Sequence, residues 1–134
     1  MPDYFIKFPR PESIHFFEQA MRSHDKVESI KKLSDSYYEI TRYDIPKIRV
    51  FVSNYYVLSL SDYYDIKDEY PDIDCLITIS NWNSVSEDAY RQGKRNQVGV
   101  FTMREFMGAI NIERPYRYIR PIDREYNDRL GRSI

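Results

Sequence analysis

Residues 74–110 read DCLITISNWNSVSEDAYRQGKRNQVGVFTMREFMGAI, and they predict a strand–helix–strand–helix unit. Residues 75–79 form a nearly continuous apolar run, which is typical of a strand buried on both faces. Residues 98–101 predict a second buried strand. Neighbouring parallel strands need a crossover connection, usually a helix, and this crossover is almost always right-handed. This half of the chain therefore predicts an α/β fold.

Capping signals place the two helices of this unit. Ser84 and Glu87 have the spacing of a capping box, which predicts a helix that begins there and ends near Asn96. Thr102 and Glu105 repeat that spacing directly after the second strand. The repeat predicts a second helix through the apolar residues that follow.

The rest of the chain extends this unit to a whole domain. Apolar spacing predicts a helix over 11–24, strands over 37–43, 48–52 and 56–60, and a short helix over 62–70, with 4–8 as an edge strand and 27–33 ambiguous. We expect a single α/β domain whose mixed sheet has five to seven strands and helices on both faces. Residues 1–112 would form its body, and residues 113–134 a C-terminal strap or tail of the same domain.

Size and charge limit the class of protein. A chain of 134 residues suits one compact domain, and its net charge of −1 gives no overall attraction to nucleic acid or membrane. No apolar run approaches the roughly 18 residues of a transmembrane helix, and residues 1–4 lack the features of a signal peptide. Cys75 falls in a predicted core strand, where a thiol is normally buried and inert. We expect a cytoplasmic protein with no membrane partner.

Tyrosine is unusually frequent, with 13 in the chain beside seven phenylalanines and one tryptophan. Adjacent pairs occur at Tyr37-Tyr38, Tyr55-Tyr56 and Tyr63-Tyr64. Neighbouring side chains of a strand point to opposite faces, so some of these rings should lie at a surface. They either pack with their hydroxyls in water or form a surface for a protein partner or for self-association.

Arginine and tyrosine recur in the C-terminal segment, 113–134. Arginine interleaved with aromatic residues can hold phosphates and stack on bases, so nucleic-acid binding is one interpretation. The residues would be Arg114, Tyr116, Arg117, Tyr118 and Arg120. The other interpretation is a strap packed across the domain, or an end whose charges are merely solvated, with a short helix over 123–130.

The sequence lacks the motifs of the common catalytic and cofactor-binding sites. The four glycines fit neither a GxGxxG nor a Walker spacing, and GxSxG is absent. The two histidines, His15 and His24, would point to different faces of a predicted helix. We therefore predict no cofactor, no metal and no His-based catalytic pair.

A polar loop after the first buried strand is the best candidate for a binding site. Ligands of open α/β sheets sit beyond the carboxyl ends of parallel strands, and helix N-termini favour anions. The tryptophan there could stack on a ring, while asparagine and serine offer donors and acceptors. The predicted ligand-binding residues are Ser80, Asn81, Trp82, Asn83, Ser84 and Ser86. Alternatively the polar residues only turn and cap the chain, and Trp82 packs on the core.

The order of predicted elements resembles the core of restriction-endonuclease-like nucleases. Ile77-Thr78-Ile79-Ser80, followed by Ser86, Ala89 and residues 98–101 before a closing helix, resembles the late half of their Mrr-like branch. The sheet would then be restriction-endonuclease-like, with a Rossmann-like sheet as the alternative. The resemblance implies Mg²⁺ held by an acidic residue near one strand and by an acid-x-Lys triplet on the next.

That triplet is not found where the resemblance would place it. Residues 56–61 would be the corresponding strand, and they contain neither a carboxylate nor a lysine. Asp65-Ile66-Lys67 matches the acid-x-Lys motif but falls on a predicted helix. A nuclease would use Asp44, Asp62, Asp65 and Lys67 with Mg²⁺. Otherwise the charges of the predicted helix form a solvated face.

Three functions stay open on the sequence. The first is a non-catalytic interaction module that binds a protein partner or itself, as an accessory protein of phage defence or of a mobile element. The second is a metal-dependent nuclease. The third is a nucleotide-binding Rossmann-like protein that uses the loop 80–84. A nuclease-like pattern without its metal residues favours the first.

Overall fold

A five-stranded mixed sheet with helices on both faces forms the protein. The computed structural model describes residues 6–131. The strands are β1 (Val27–Ser34), β2 (Tyr37–Arg42), β3 (Ile48–Ser53), β4 (Val57–Leu58), β5 (Cys75–Thr78), β6 (Ser84–Val85) and β7 (Gly99–Thr102). The helices are α1 (Pro11–Arg22), α2 (Leu60–Glu69), α3 (Glu87–Arg95), α4 (Met103–Ala109) and α5 (Pro121–Arg129), with a 3-10 helix at Pro115–Arg117. The predicted α/β fold is confirmed.

The strands of the sheet follow the order β1-β2-β3-β5-β7. The first three form an antiparallel meander, and β3, β5 and β7 run parallel. The parallel strands end in register at Ser53, Thr78 and Thr102. We call this end of the sheet the carboxyl edge, and the opposite end the amino edge. Beyond the carboxyl ends of β3 and β5, β4 and β6 form a separate parallel pair.

Alternate residues of the sheet contribute to two hydrophobic layers. On one face, Val50, Ile77 and Phe101 pack with α1 and α4. On the other face, Phe51 and Leu76 pack with α2 and α3. Because helices cover both faces, β5 is buried at every position, which explains its continuous apolar sequence.

The helix after β5 begins two residues later than the predicted capping box. Ser86 is the N-cap of α3, and its hydroxyl accepts from the Ala89 N–H at 3.2 Å. Ser84 instead lies in β6, where its N–H donates to the Tyr56 carbonyl. The prediction at Ser84 was wrong because strand pairing satisfies its backbone, and the sequence spacing does not reveal that pairing.

The predicted strand over 56–60 shrinks to the two residues of β4, because a capping box starts a helix at once. The Ser59 hydroxyl accepts from the Asp62 N–H at 3.1 Å, and the Asp62 carboxylate accepts from the Ser59 N–H at 2.9 Å. Leu60 is therefore the first residue of α2. The alternation of Leu58 and Leu60 suggested a longer strand, but the two leucines belong to different elements.

The other boundaries lie close to those predicted. The Thr102–Glu105 capping box is formed and starts α4. The ambiguous segment 27–33 belongs to β1, an edge strand. Of the edge strand predicted over 4–8, residues 4 and 5 lie outside the described residues, and 6–8 form no strand. No helix within residues 6–131 combines the length and apolarity needed to cross a lipid bilayer.

A buried arginine ties the C-terminal segment to the sheet. Arg42 is 3% exposed, and its guanidinium donates to the carbonyls of Pro46, Ile110, Ile112 and Glu113 at 2.6–3.1 Å. Burial lowers the pKa of this guanidinium, although arginine stays charged at neutral pH. From this anchor the 3-10 helix passes against α4, β7 and α3 as a strap.

Candidate functional site

A buried hydrogen-bond network holds the polar loop after β5. Asn83 is 7% exposed, and its side-chain amide donates to Asn54 Oδ1 at 2.8 Å and to Thr78 Oγ1 at 2.9 Å. Ser80 donates to the same Asn54 oxygen at 2.7 Å, and Thr78 donates to the Tyr55 carbonyl at 2.6 Å. The network joins this loop to the residues that follow β3. It therefore fixes the shape of the carboxyl edge and engages Ser80 and Asn83 within the protein.

The other predicted ligand-binding residues lie in different surroundings. Ser86 caps α3, and Ser84 is exposed in β6. Asn81 and Trp82 are exposed in the loop itself. The Trp82 side chain is 73% exposed, so the alternative in which it packs on the core is wrong.

Trp82 lines a hollow together with an aromatic residue of α1. This hollow has a volume of about 250 Å³. Its lining consists of Glu12, Ser13, Phe16, Ile79, Ser80, Asn81 and Trp82. Phe16 is 55% exposed, although the next residue, Phe17, is fully buried. We call this feature the aromatic hollow, and it leaves two large rings uncovered at the carboxyl edge.

A second hollow of about 240 Å³ adjoins the first one. It is lined by Ile79, Ser80, Asn81, Asn83, Thr102, Met103 and Arg104. The two hollows share Ile79, Ser80 and Asn81 in their linings. Arg104 is the charged residue of the second lining and Glu12 that of the first, so the charges bordering the loop differ in sign from one hollow to the other.

The rigid loop, the exposed tryptophan and the two hollows make the carboxyl edge the candidate functional site. No family model, curated protein or solved structure matches this chain. What the site does must therefore follow from the chemistry of its residues.

The residues of the nuclease alternative are mostly engaged on α2. Asp62 caps that helix, and Lys67 donates to the Pro71 carbonyl beyond its end. Asp65 follows one turn after Asp62, and burial together with neighbouring carboxylates raises its pKa. Asp44 is exposed in the connection between β2 and β3. Within residues 6–131, no three His, Cys, Asp or Glu side chains form a group that could hold a metal ion.

In the five-stranded sheet the last strand before α2 is β3, whereas residues 56–61 contribute only β4 of the separate two-stranded pair. The sequence of β3 is IRVFVS, and Arg49 is its one charged residue. Asp65-Ile66-Lys67 lies on α2, where Ile66 is buried in the core. Of residues 56–61, where the resemblance would place an acid-x-Lys triplet, only Val57–Leu58 is strand, and the six residues include neither a carboxylate nor a lysine.

Arg120 of the predicted nucleic-acid contact is engaged inside the domain. Its guanidinium carbon lies 3.6 Å from the centre of the Tyr90 ring. The same group binds both carboxylate oxygens of Asp123 at 2.7 and 3.0 Å, and Glu87 at 2.9 Å. Arg120 holds the pKa of Asp123 below its usual value. These contacts fasten the start of α5 to α3.

The other four residues of that predicted contact divide between packing and surface. Tyr118 packs edge-on against Phe101, with ring centroids 6.0 Å apart. Arg114 and Arg117 flank Tyr116, and a hydrogen bond from Arg114 lowers the pKa of the Tyr116 phenol. Both arginines are exposed. The surface part of the predicted contact is thus limited to residues 114, 116 and 117.

A further hollow of about 440 Å³ lies at the amino edge. Its lining is Pro46, Lys47, Ile48, Asp74, Gln97, Glu113, Arg114, Pro115 and Tyr116. The lining holds two cations and two carboxylates, so it presents no clear preference for a charged ligand. Ligands of open α/β sheets bind at the opposite, carboxyl end of the strands. We therefore place the candidate site at the carboxyl edge.

Replacing the half-buried carboxylate of this amino-edge hollow should stabilise the protein. Asp74 accepts from the Arg49 N–H at 2.8 Å, yet burial raises its pKa above the usual value. The folded state then binds the proton more tightly than the unfolded state, so stability falls as pH rises through the folded pKa. Asp74→Asn keeps an acceptor oxygen without the charge. We expect the variant to be the more stable protein at pH 7 in urea denaturation.

The control for this prediction is how the difference in free energy of unfolding between Asp74→Asn and the parent protein changes with pH. The stability gap between Asp74→Asn and the parent should shrink as pH is lowered into the acid range, where Asp74 becomes neutral. A gap that widens on acidification, or no gap at pH 7, would show that burial does not dominate at Asp74.

Some residues of the candidate site have a signal in the sequence and others have none. Phe16 lies off the apolar stripe formed by Ile14, Phe17 and Met21, which indicates a phenylalanine on the solvent side of α1. Glu12 and Asn54 show no such signal. They meet the loop only because the tertiary fold brings the start of α1 and the end of β3 beside β5.

Proposed function

We propose that this chain is a non-catalytic protein-interaction module that contacts its partner through the aromatic hollow. The observation that carries the proposal is the exposure of two large rings in one hollow, 73% for Trp82 and 55% for Phe16. Single exposed apolar residues are normal, but grouped ones mark interaction sites. Tryptophan is also among the residues that dominate binding energies at interfaces.

The surface is already ordered, which favours binding. Asn83 and Ser80 hold the loop through buried hydrogen bonds to Asn54. Ordering side chains and loops on association costs about 0.5–1.5 kcal/mol for each immobilised side chain. A loop that is fixed before the encounter avoids much of this cost, so a small contact can have useful affinity.

The size of the hollow favours a protruding side chain over a small-molecule ligand. Pockets for drug-sized ligands and cofactors usually have volumes of about 300–1,000 Å³. The aromatic hollow has about 250 Å³ and its neighbour about 240 Å³. In addition, Ser80 and Asn83 already use their side chains within the protein. Both points support a protein partner over a nucleotide.

An accessory role in phage defence or in a mobile element is part of the proposal. It is supported by the order of elements, which resembles a restriction-endonuclease-like core. It is also supported by residues 56–61, where the resemblance would place the acid-x-Lys triplet, because they contain neither a carboxylate nor a lysine. A core of this kind without the triplet is suited to binding rather than to cleavage.

Removing both exposed rings should abolish most of the binding. Peptides would be selected from a random library with the parent protein, and their dissociation constants measured for Phe16→Ala/Trp82→Ala. We expect at least about a tenfold loss of affinity, since truncation of an interface hot spot costs about 2 kcal/mol or more and about 1.4 kcal/mol is tenfold. Trp82 is the one tryptophan of the chain, so its fluorescence should also shift when a peptide covers it.

The matched control is Tyr126→Ala, which removes a ring that is 53% exposed on α5. This variant should bind the selected peptides as the parent does. Peptides that bind both variants equally well would contradict the proposal. So would a parent protein that selects no peptide but binds DNA, RNA or a nucleotide in a manner that depends on Trp82. Concentration-dependent dimerisation lost in the double variant would identify a second copy as the partner.

A further inference from the structure

We infer that the aromatic hollow receives the cationic side chain of a lysine or arginine from the partner protein, an inference that rests on the proposed function. Glu12 is the charged residue among the seven that line the hollow. The remaining polar groups of the lining belong to Ser13, Ser80 and Asn81, which carry no charge. The hollow thus offers one negative charge to whatever enters it.

The two rings favour the same kind of ligand. The face of an aromatic ring is negative, and tryptophan attracts cations most strongly among the aromatic side chains. Phe16 and Trp82 line the same hollow as Glu12, and both rings remain mostly open to solvent. An ammonium or guanidinium group on an aliphatic stem would place its stem on the rings and its charge near Glu12.

Among the described residues, 6–131, no lysine, arginine or histidine lines this hollow. In that part of the chain Glu12 forms no salt bridge and no side-chain hydrogen bond. Arg104 lines the adjoining hollow and not this one. The carboxylate is therefore available to a basic side chain from outside.

The test uses small probes and the indole N–H signal of Trp82, which is unique because the chain has one tryptophan. N-acetyl-lysine methylamide and its arginine analogue would be titrated while this signal is followed by NMR. The uncharged norleucine analogue has a similar stem and serves as the matched probe. We expect the cations to shift the signal saturably and to bind about tenfold more tightly than norleucine. Added salt should weaken the cations only.

The variant Glu12→Gln should bring the cations close to the affinity of norleucine. Glu28→Gln, which removes an exposed carboxylate from β1, should change nothing. Norleucine binding as tightly as lysine, or the absence of any saturable shift, would overturn the inference. If library peptides still depend on Phe16 and Trp82 in that case, the proposed function stands without the cation preference. If they do not depend on them, the proposed function fails as well.

Discussion

Arg42→Met should lower the free energy of unfolding by about 3–5 kcal/mol, because several hydrogen bonds from one buried charged group are lost together. The guanidinium of Arg42 gives hydrogen bonds to the carbonyls of Pro46, Ile110, Ile112 and Glu113. Methionine fills much of the space but leaves these acceptors without their donor, and a hydrogen bond from a charged group contributes about 1.5–3 kcal/mol. Urea denaturation would measure the loss as a lower midpoint at unchanged slope.

Two further variants distinguish the stability that comes from the carbonyl hydrogen bonds of Arg42 from the stability that comes from its positive charge. Arg42→Lys retains the positive charge, but one ammonium cannot reach all the carbonyls, so we expect about half the loss. Arg91→Met removes an arginine whose partner, Glu87, is an exposed i,i+4 neighbour, and it should cost less than about 0.5 kcal/mol. An Arg42→Met protein as stable as Arg91→Met would show that the carbonyl contacts do not hold the C-terminal segment.

The role of Arg42 illustrates what the sequence does not reveal. One partner, Pro46, is four residues away, but the other three lie in residues 110–113, about 70 residues further along the chain. Arginine in a strand normally indicates a solvent-facing position. Here the carbonyls of residues 110–113, directly after α4, accept hydrogen bonds from Arg42, which tertiary packing places beside them.

The parts of the fold that were predictable from the sequence are those with local causes. β5 and β7 are buried on both faces, so their apolar runs identify them directly. The Thr102–Glu105 capping box identifies the start of α4, since its hydrogen bonds connect residues three apart. The start of α3 was misplaced because pairing of Ser84 with β4 is a long-range event.

The candidate site shows the same division between local and tertiary causes. The loop 80–84 was predictable as a binding location because it follows a buried strand and precedes a helix. The exposure of Trp82 was not predictable from the sequence, because a tryptophan after a core strand can pack inward or protrude, depending on residues that only the fold brings near. Asn83, the neighbour of Trp82, is held by hydrogen bonds to Asn54 and Thr78. Asn54 precedes α2 in the sequence, whereas the loop follows it.

Gly93→Leu should lower the free energy of unfolding by about 3 kcal/mol, although leucine is the better helix former by almost 1 kcal/mol. A Cβ at Gly93 would lie 2.4 Å from Val100 Cγ2 and 2.7 Å from the Val98 carbonyl oxygen. Gly93 lies where α3 packs on β7, and its own carbonyl accepts the Val98 N–H at 2.7 Å. A side chain there must push the helix away from the sheet. Urea denaturation would again measure the loss.

A double-mutant cycle with Val100→Ala identifies the contact responsible. The graded variant Gly93→Ala should cost about 1–2 kcal/mol in the parent and about 1 kcal/mol less beside Val100→Ala, because the smaller residue removes the Val100 Cγ2 contact. Some cost should persist, because the Val98 carbonyl is main chain and stays in place. Gln19→Ala, at an exposed position of α1, should be neutral within about 0.5 kcal/mol. Stabilisation by Gly93→Ala would mean that helix propensity outweighs packing at this contact.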